Sequence, residues 1–189
     1  AEHYKQQASK ILDFAGKNTV ELKYNSEWLS KLDFNQVIEV AAHFTVQQML
    51  ERDMFDLRMK EGKPIHLHEF LYPLMQGYDC VAMNVDGEVG GNDQTFNMLA
   101  GRDLMKAMRG KEKFVITDKL LADPTGKKMG KSEGNMITLS DSSDEIFGKV
   151  MSWTDGMIVG GFELLTDIPM GEVVAISKTL IREEANPRD

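Results

Sequence analysis

The chain has 189 residues, of which 42% are hydrophobic and 28% charged, and its formal net charge is −8 at pH 7. That balance reads as a soluble globular protein and argues against a general nucleic-acid coat or a polybasic membrane binder, while leaving room for a local basic patch. The single cysteine, Cys80, excludes an intrachain disulfide and a cysteine-cluster metal site and suits a reducing compartment. No apolar run approaches the ~20 residues of a membrane helix, and the length suits one core, or one core with a small appendage. Both ends read as cut: the chain starts at Ala-Glu-His and stops at Asn186-Pro187-Arg188-Asp189.

The first expected element is a helix from Tyr4 to Phe14, followed by a Gly16-Lys17-Asn18 turn. Val20 to Tyr24 alternates apolar and polar, the pattern of a short half-buried strand. Asp33 with Gln36 three residues later predicts a helix start, and Val37, Ile38, Ala41, Phe44 and Leu50 carry helical spacing to about Arg52. A short helix and loop follow between Glu51 and Lys63.

Leu67 to Asp79 predicts a further helix, tightened or kinked at Pro73. Tyr72, Gln76 and Asp79 stand at i, i+4 and i+7, which places a phenol, an amide and a carboxylate on one helical face. That line is either an ordinary boundary stripe or a pocket for a small ligand carrying both an amine and a hydroxyl. Cys80 to Val85 reads as a buried strand. Gly90-Gly91-Asn92-Asp93 then lies near a strand-to-helix junction, where ligands of open α/β sheets bind. Asp93 there either accepts hydrogen bonds from a ribose or caps the next helix, which Phe96, Leu99, Ala100, Leu104, Met105 and Met108 mark out. Lys113 to Thr117 is a second strand.

Gly126-Lys127-Lys128-Met129-Gly130-Lys131-Ser132-Glu133-Gly134-Asn135 concentrates positive charge and glycine in an acidic chain. Cations beside flexible backbone suit a phosphate-bearing ligand, although a solvated surface turn has the same composition. A Walker A loop is excluded: three residues separate Gly126 from Gly130 where four are required, and Met136 to Leu139 reads as extended rather than helical. The segment therefore reads as a mobile lysine loop. Beyond it, a Ser142–Glu145 capping box opens a helix through Ile146, Phe147, Val150 and Met151. Phe162–Leu165 and Gly171–Ile181 also look helical, so the simplest division falls near residue 140, between an α/β part and a helical part. His66 and His68 have no supporting carboxylate or cysteine cluster, and no metal site is expected.

These elements, in this order, resemble the tyrosyl-tRNA synthetases of bacterial type, which are class I enzymes. Leu71-Tyr72-Pro73-Leu74-Met75-Gln76-Gly77-Tyr78-Asp79 looks like their tyrosine-binding helix, and Val89-Gly90-Gly91-Asn92-Asp93-Gln94 like their Gly-Gly-x-Asp-Gln segment. Lys128-Met129-Gly130-Lys131-Ser132 looks like the Lys-Met-Ser-Lys-Ser signature, with Gly130 in third place. Asn25-Ser26-Glu27-Trp28-Leu29 and Phe162 to Asp167 also read as family text. The family's His-Ile-Gly-His-type motif does not occur, and Glu88 stands where some members carry glutamine.

The resemblance implies the second half of a Rossmann-like catalytic domain over residues 1–140, with its signature loop at 126–135, and the opening of an all-helical anticodon-binding domain over 141–189. It implies a tyrosine–tRNA ligase: ATP-dependent activation of L-tyrosine, ATP entering as its Mg2+ complex, then transfer to tRNA(Tyr). Asp79 would meet the substrate phenol, Tyr72 and Gln76 its ammonium, and Gln94 its carboxylate. Gly91 would admit the ribose and Asp93 bind its hydroxyls, while Lys128, Lys131 and Ser132 would meet the β- and γ-phosphates, with Met129 beside them. A cytoplasmic homodimer joined through residues 37–70 is implied, with no membrane, and little activity in the isolated chain. Two rivals stay open. One is a tryptophanyl-tRNA synthetase; the other is a non-catalytic module that binds nucleotide, RNA or protein.

Overall fold

The computed structural model describes residues 2–123, 129 and 136–182. They fall into two compact units, residues 23–118 and a second unit drawn from residues 1–22 and 119–189.

Helix α1, Glu2–Ala8, is shorter than its periodicity suggests. Asp13 Oδ1 accepts the backbone N–H of Ala15 at 2.9 Å, a local turn that competes with helix continuation towards Phe14. Val20 to Tyr24 is not a strand. Val20 and Leu22 are half-buried between exposed neighbours, so the alternation is present, but no neighbouring strand pairs with it among the described residues.

The unit 23–118 opens with the single turn α2, Ser26–Leu29, and then α3, Phe34–Ala41. As the spacing predicts, Asp33 and Gln36 close a capping box, with Asp33 Oδ1 accepting Gln36 N–H at 2.8 Å. The helix does not run on to Arg52. Thr45 takes an extended conformation and makes a second capping box with Gln48, which starts α4, Val46–Leu50. Helix α5, Asp53–Lys60, follows where a short helix was expected.

A 3-10 turn at Leu67–Phe70 leads into α6, Leu71–Met83. Pro73 lies in the first turn of α6, where an amide has no intrahelical acceptor and its missing N–H costs nothing. Cys80 to Val85 is not a strand: α6 continues through it and ends at Asn84 in the left-handed region, φ 52°. Leu74, Gly77, Cys80 and Val81 form a buried stripe at helical spacing. The strand is displaced to β1, Gly87–Gly91, which pairs in parallel with β2, Phe114–Asp118, in the register Gly87↔Phe114 to Gly91↔Asp118. The crossover between them is α7, Thr95–Arg109, which stops at Gly110 with φ 63°.

Leu74, Cys80, Val81, Leu104 and Met105 from α6 and α7 form most of the core of this unit, joined by Val40 and Met49. The two helices approach closely where both carry glycine. A Cβ on Gly77 would lie 3.2 Å from the backbone N of Gly101 and 3.3 Å from the carbonyl carbon of Ala100. Because those neighbours are backbone, Gly77→Val should destabilise the chain by about 1–3 kcal/mol, the usual cost of overpacking. Urea unfolding checks this, and an unchanged midpoint would show that the helices have room to part.

In the second unit, Ser142 and Glu145 cap α8, Ser143–Met151, as expected. A 3-10 turn at Asp155–Met157 precedes α9, Ile158–Leu165, and then α10, Met170–Ile181. Ahead of α8, Asp141 accepts Thr138 N–H at 2.8 Å, Thr138 Oγ1–H at 2.9 Å and Lys149 Nζ at 2.6 Å. Those donors, Lys149 foremost, hold the Asp141 carboxyl down at about 2.

Candidate functional site

Helix α6 brings Tyr72, Gln76 and Asp79 onto one face, as their spacing predicts. Tyr72, near the open end, is 55% exposed, while Gln76 and Asp79 are half-buried. Asp79 sits inside the helix, four residues before its end, and not at a junction with a strand. Nor is it unpartnered: Oδ1 accepts the indole N–H of Trp28 at 2.7 Å, and Oδ2 accepts Asn25 Nδ2 at 3.4 Å. The short helix α2 is what aims Trp28 at this carboxylate. Burial pushes the Asp79 carboxyl above its ordinary value, although both hydrogen bonds work in the opposite direction. An ionised carboxylate offers about four lone-pair directions, so two donors leave acceptor capacity for a ligand hydroxyl.

Gln76 donates through Nε2 to Glu88 Oε1 at 3.1 Å, and its Oε1 accepts Asn97 Nδ2 at 3.2 Å. The same Asn97 amide donates to Gln94 Oε1 at 3.0 Å, so one buried asparagine joins the two glutamines. Asn97 Oδ1 is buried and has no hydrogen-bond partner among the described residues. Behind Glu88 stands Lys113, whose side chain is fully buried and paired with Glu88 Oε2. Burial alone would raise the Glu88 carboxyl, but the hydrogen bonds from Lys113 and Gln76 prevail and hold it below its usual range. Cys80 lies against the same pair. Burial, helped by the negative charge of Glu88, pushes its thiol up to about 11, so it stays protonated and unreactive.

Gly91 is the last residue of β1, and Asn92–Gln94 form a 3-10 turn into α7. The N-cap position of α7 falls to Gln94, so Asp93 does not take the helix-capping place. Gln94 Nε2 donates to Asp93 Oδ2 at 3.4 Å. Met129 is half-buried, and its N–H donates to Leu121 O at 3.3 Å. Lys128, Lys131 and Ser132 lie outside the described residues. An apolar groove lined by Leu29, Leu32, Val37, Val40, Leu71, Leu74, Met75 and Tyr78 includes none of Tyr72, Gln76 and Asp79.

The sequence reading gave no role to Trp28, Asn97 or Lys113. Asn97 had a readable signal, since it stands at i, i+3 and i+7 with Ala100 and Leu104 on the buried stripe of α7. Trp28 and Lys113 had none, because their partners lie 51 and 25 residues away along the chain.

Residues 1–185 match the family model described as tRNA synthetases class I (W and Y). The chain belongs to this family. Among curated proteins it is 48% identical over 190 residues to tyrosine–tRNA ligase 2 of Vibrio cholerae, covering 100% of this chain and 47% of that protein. It is 46% identical to the tyrosine–tRNA ligase of Carboxydothermus hydrogenoformans, covering 100% of this chain and 46% of that protein. The chain thus spans about half the length of the curated relatives it matches. Among solved structures, tyrosyl-tRNA synthetase complexed with L-tyrosine from Archaeoglobus fulgidus superposes with a TM-score of 0.69 at 17% identity, covering 98% of this chain and 65% of that one. Tyrosyl-tRNA synthetase from Aeropyrum pernix gives 0.65 at 19% identity, covering 87% and 55%. At those identities the likeness concerns the fold: a class I synthetase fold, of which the parallel β1–α7–β2 crossover is a part.

Proposed function

We propose that the full-length protein is a tyrosine–tRNA ligase. The observation that carries this reading is the Asp79 carboxylate on the Tyr72–Gln76 face, half-buried and held in place by Trp28 and Asn25. It offers an oriented acceptor for a phenol hydroxyl; an indole N–H donates to it as well, as Trp28 does, so the choice against the tryptophanyl alternative comes from the names of the relatives.

In this reading Tyr72 and Gln76 face the substrate ammonium and Gln94 its carboxylate. That carboxylate attacks the α-phosphate of ATP, which enters as its Mg2+ complex, and pyrophosphate leaves. Gly91 and Asp93 hold the ribose, with Met129 at the nucleotide. Lys128, Lys131 and Ser132 meet the β- and γ-phosphates as negative charge builds on them. Little proton transfer is required, so catalysis rests on positioning and charge stabilisation. The tyrosyl group then passes to the terminal ribose of tRNA(Tyr), in the cytoplasm. We place the boundary between catalytic and anticodon-binding parts near residue 140. The test is ATP–pyrophosphate exchange: the full-length protein should exchange with tyrosine and not with tryptophan, whereas the isolated chain should be nearly inactive. Robust exchange by the isolated chain would overturn its expected inactivity, and tryptophan dependence would overturn the tyrosine–tRNA ligase reading.

A homodimer through residues 37–70 belongs to the same proposal, supported by the exposed apolar side chains of Ile38, Val46, Leu57 and Leu67. Sedimentation at about 10 μM should show a dimer; a clean monomer would count against it.

A further inference from the structure

Lys113 is the most deeply buried cation among the described residues, and the amino-acid site does not use it directly. Its ammonium has three protons, and the structure gives each an acceptor: Glu88 Oε2, Met98 O at 2.9 Å and Cys80 Sγ at 3.3 Å. Lysine can only donate, so Glu88 must accept from it. An ionised carboxylate can only accept, so the group that meets its other oxygen must donate, and that group is Gln76 Nε2. The amide of Gln76 is thereby fixed in one sense. Its Nε2 faces Glu88, and its Oε1 is turned towards Asn97, whose Nδ2 donates to it. Turning that amide over would set N–H against N–H at Asn97 and carbonyl against carboxylate at Glu88.

We infer that the Lys113–Glu88 pair is a positioning device that sets which end of the Gln76 amide is offered to the ligand, and so confers selectivity for a substrate bearing an ammonium group. This rests on the reading of Gln76 as facing the substrate ammonium. Beside its contact with Asn97, the Gln76 carbonyl oxygen keeps a second lone pair that can accept from an ammonium, whereas an amide NH2 in its place would repel it. The pair acts through Gln76 and does not itself touch the substrate.

The charge sense makes the inference testable with isosteric changes. In Glu88→Gln the new amide gives its oxygen to Lys113 and its NH2 to Gln76, which forces the Gln76 amide to turn over. In Glu88→Gln/Lys113→Met the new amide is released from the lysine and can present its oxygen to Gln76 again. The experiment measures binding of L-tyrosine, tyramine and 3-(4-hydroxyphenyl)propanoate to the full-length protein and both variants, with circular dichroism to verify folding. Glu88→Gln should weaken L-tyrosine and tyramine about tenfold, as expected for one hydrogen bond to a charged group. The propanoate, which lacks the amine, should bind as before. The double variant should recover most of the loss for the two amines. The inference is overturned if Glu88→Gln weakens all three ligands equally, if it leaves the preference for amines unchanged, or if the double variant recovers nothing. A wild-type protein that fails to bind L-tyrosine would instead sink the ligase reading, and this inference with it.

Discussion

Asp79→Ala in the full-length protein should lower kcat/KM for tyrosine by about 10- to 150-fold, the range for losing a hydrogen bond to a charged group. The same change should remove most of the preference over phenylalanine. Phenylalanine leaves a half-buried carboxylate with a lost partner, and that desolvation penalty is what makes rejection steep. Tyrosyl-tRNA synthetases are themselves the reference case for such rejection, at about 10⁵. Two parallel measurements, tyrosine- and phenylalanine-dependent pyrophosphate exchange, separate the effects. A variant that kept full discrimination would show that the phenol is read elsewhere. The acid limb carries a second signature. Burial raises the Asp79 carboxyl above its ordinary value, so protonation begins, as pH falls, earlier than for an exposed aspartate at about 3.9. Tyrosine binding should weaken on that limb, and Asp79→Asn should flatten it.

Lys131→Ala in the full-length protein should slow tyrosine activation about 30- to 1,000-fold, equivalent to about 2–4 kcal/mol for one preorganised electrostatic donor. Tyrosine affinity should stay within about twofold, because the charge acts on phosphates that grow more negative only as pyrophosphate departs. Single-turnover adenylate formation checks the rate and equilibrium dialysis the affinity. Weakened tyrosine binding with a normal rate would show that Lys131 belongs to the amino-acid side of the site.

What the sequence disclosed depended on the range over which each signal acts. The capping boxes at Asp33–Gln36 and Ser142–Glu145 are four-residue motifs, and both were legible. So was the shared face of Tyr72, Gln76 and Asp79, because helical spacing alone creates it. Cys80 to Val85 misled because a short apolar run is equally at home in a buried helix and a buried strand. Only packing of Gly77 and Cys80 against α7 decides between them. Thr45 hid a second helix start within what periodicity read as one helix. The partners of Asp79 and Glu88 were invisible for a different reason: Trp28 and Lys113 reach them across folds of the chain, and a single sequence records no such pairing.

The glycine contact between α6 and α7 bears on how the ligand is met. A Cβ at Gly77 would meet the Leu104 side chain at 3.0 Å and the Gly101 backbone N at 3.2 Å, so α6 and α7 are tightly packed at this point. Tyr72, Gln76 and Asp79 on one helix, and Asn97 on the other, are thus carried on one closely packed helix pair. In the proposed ligase, closing around the amino acid would then fall to other segments, with this half of the site set before the ligand arrives.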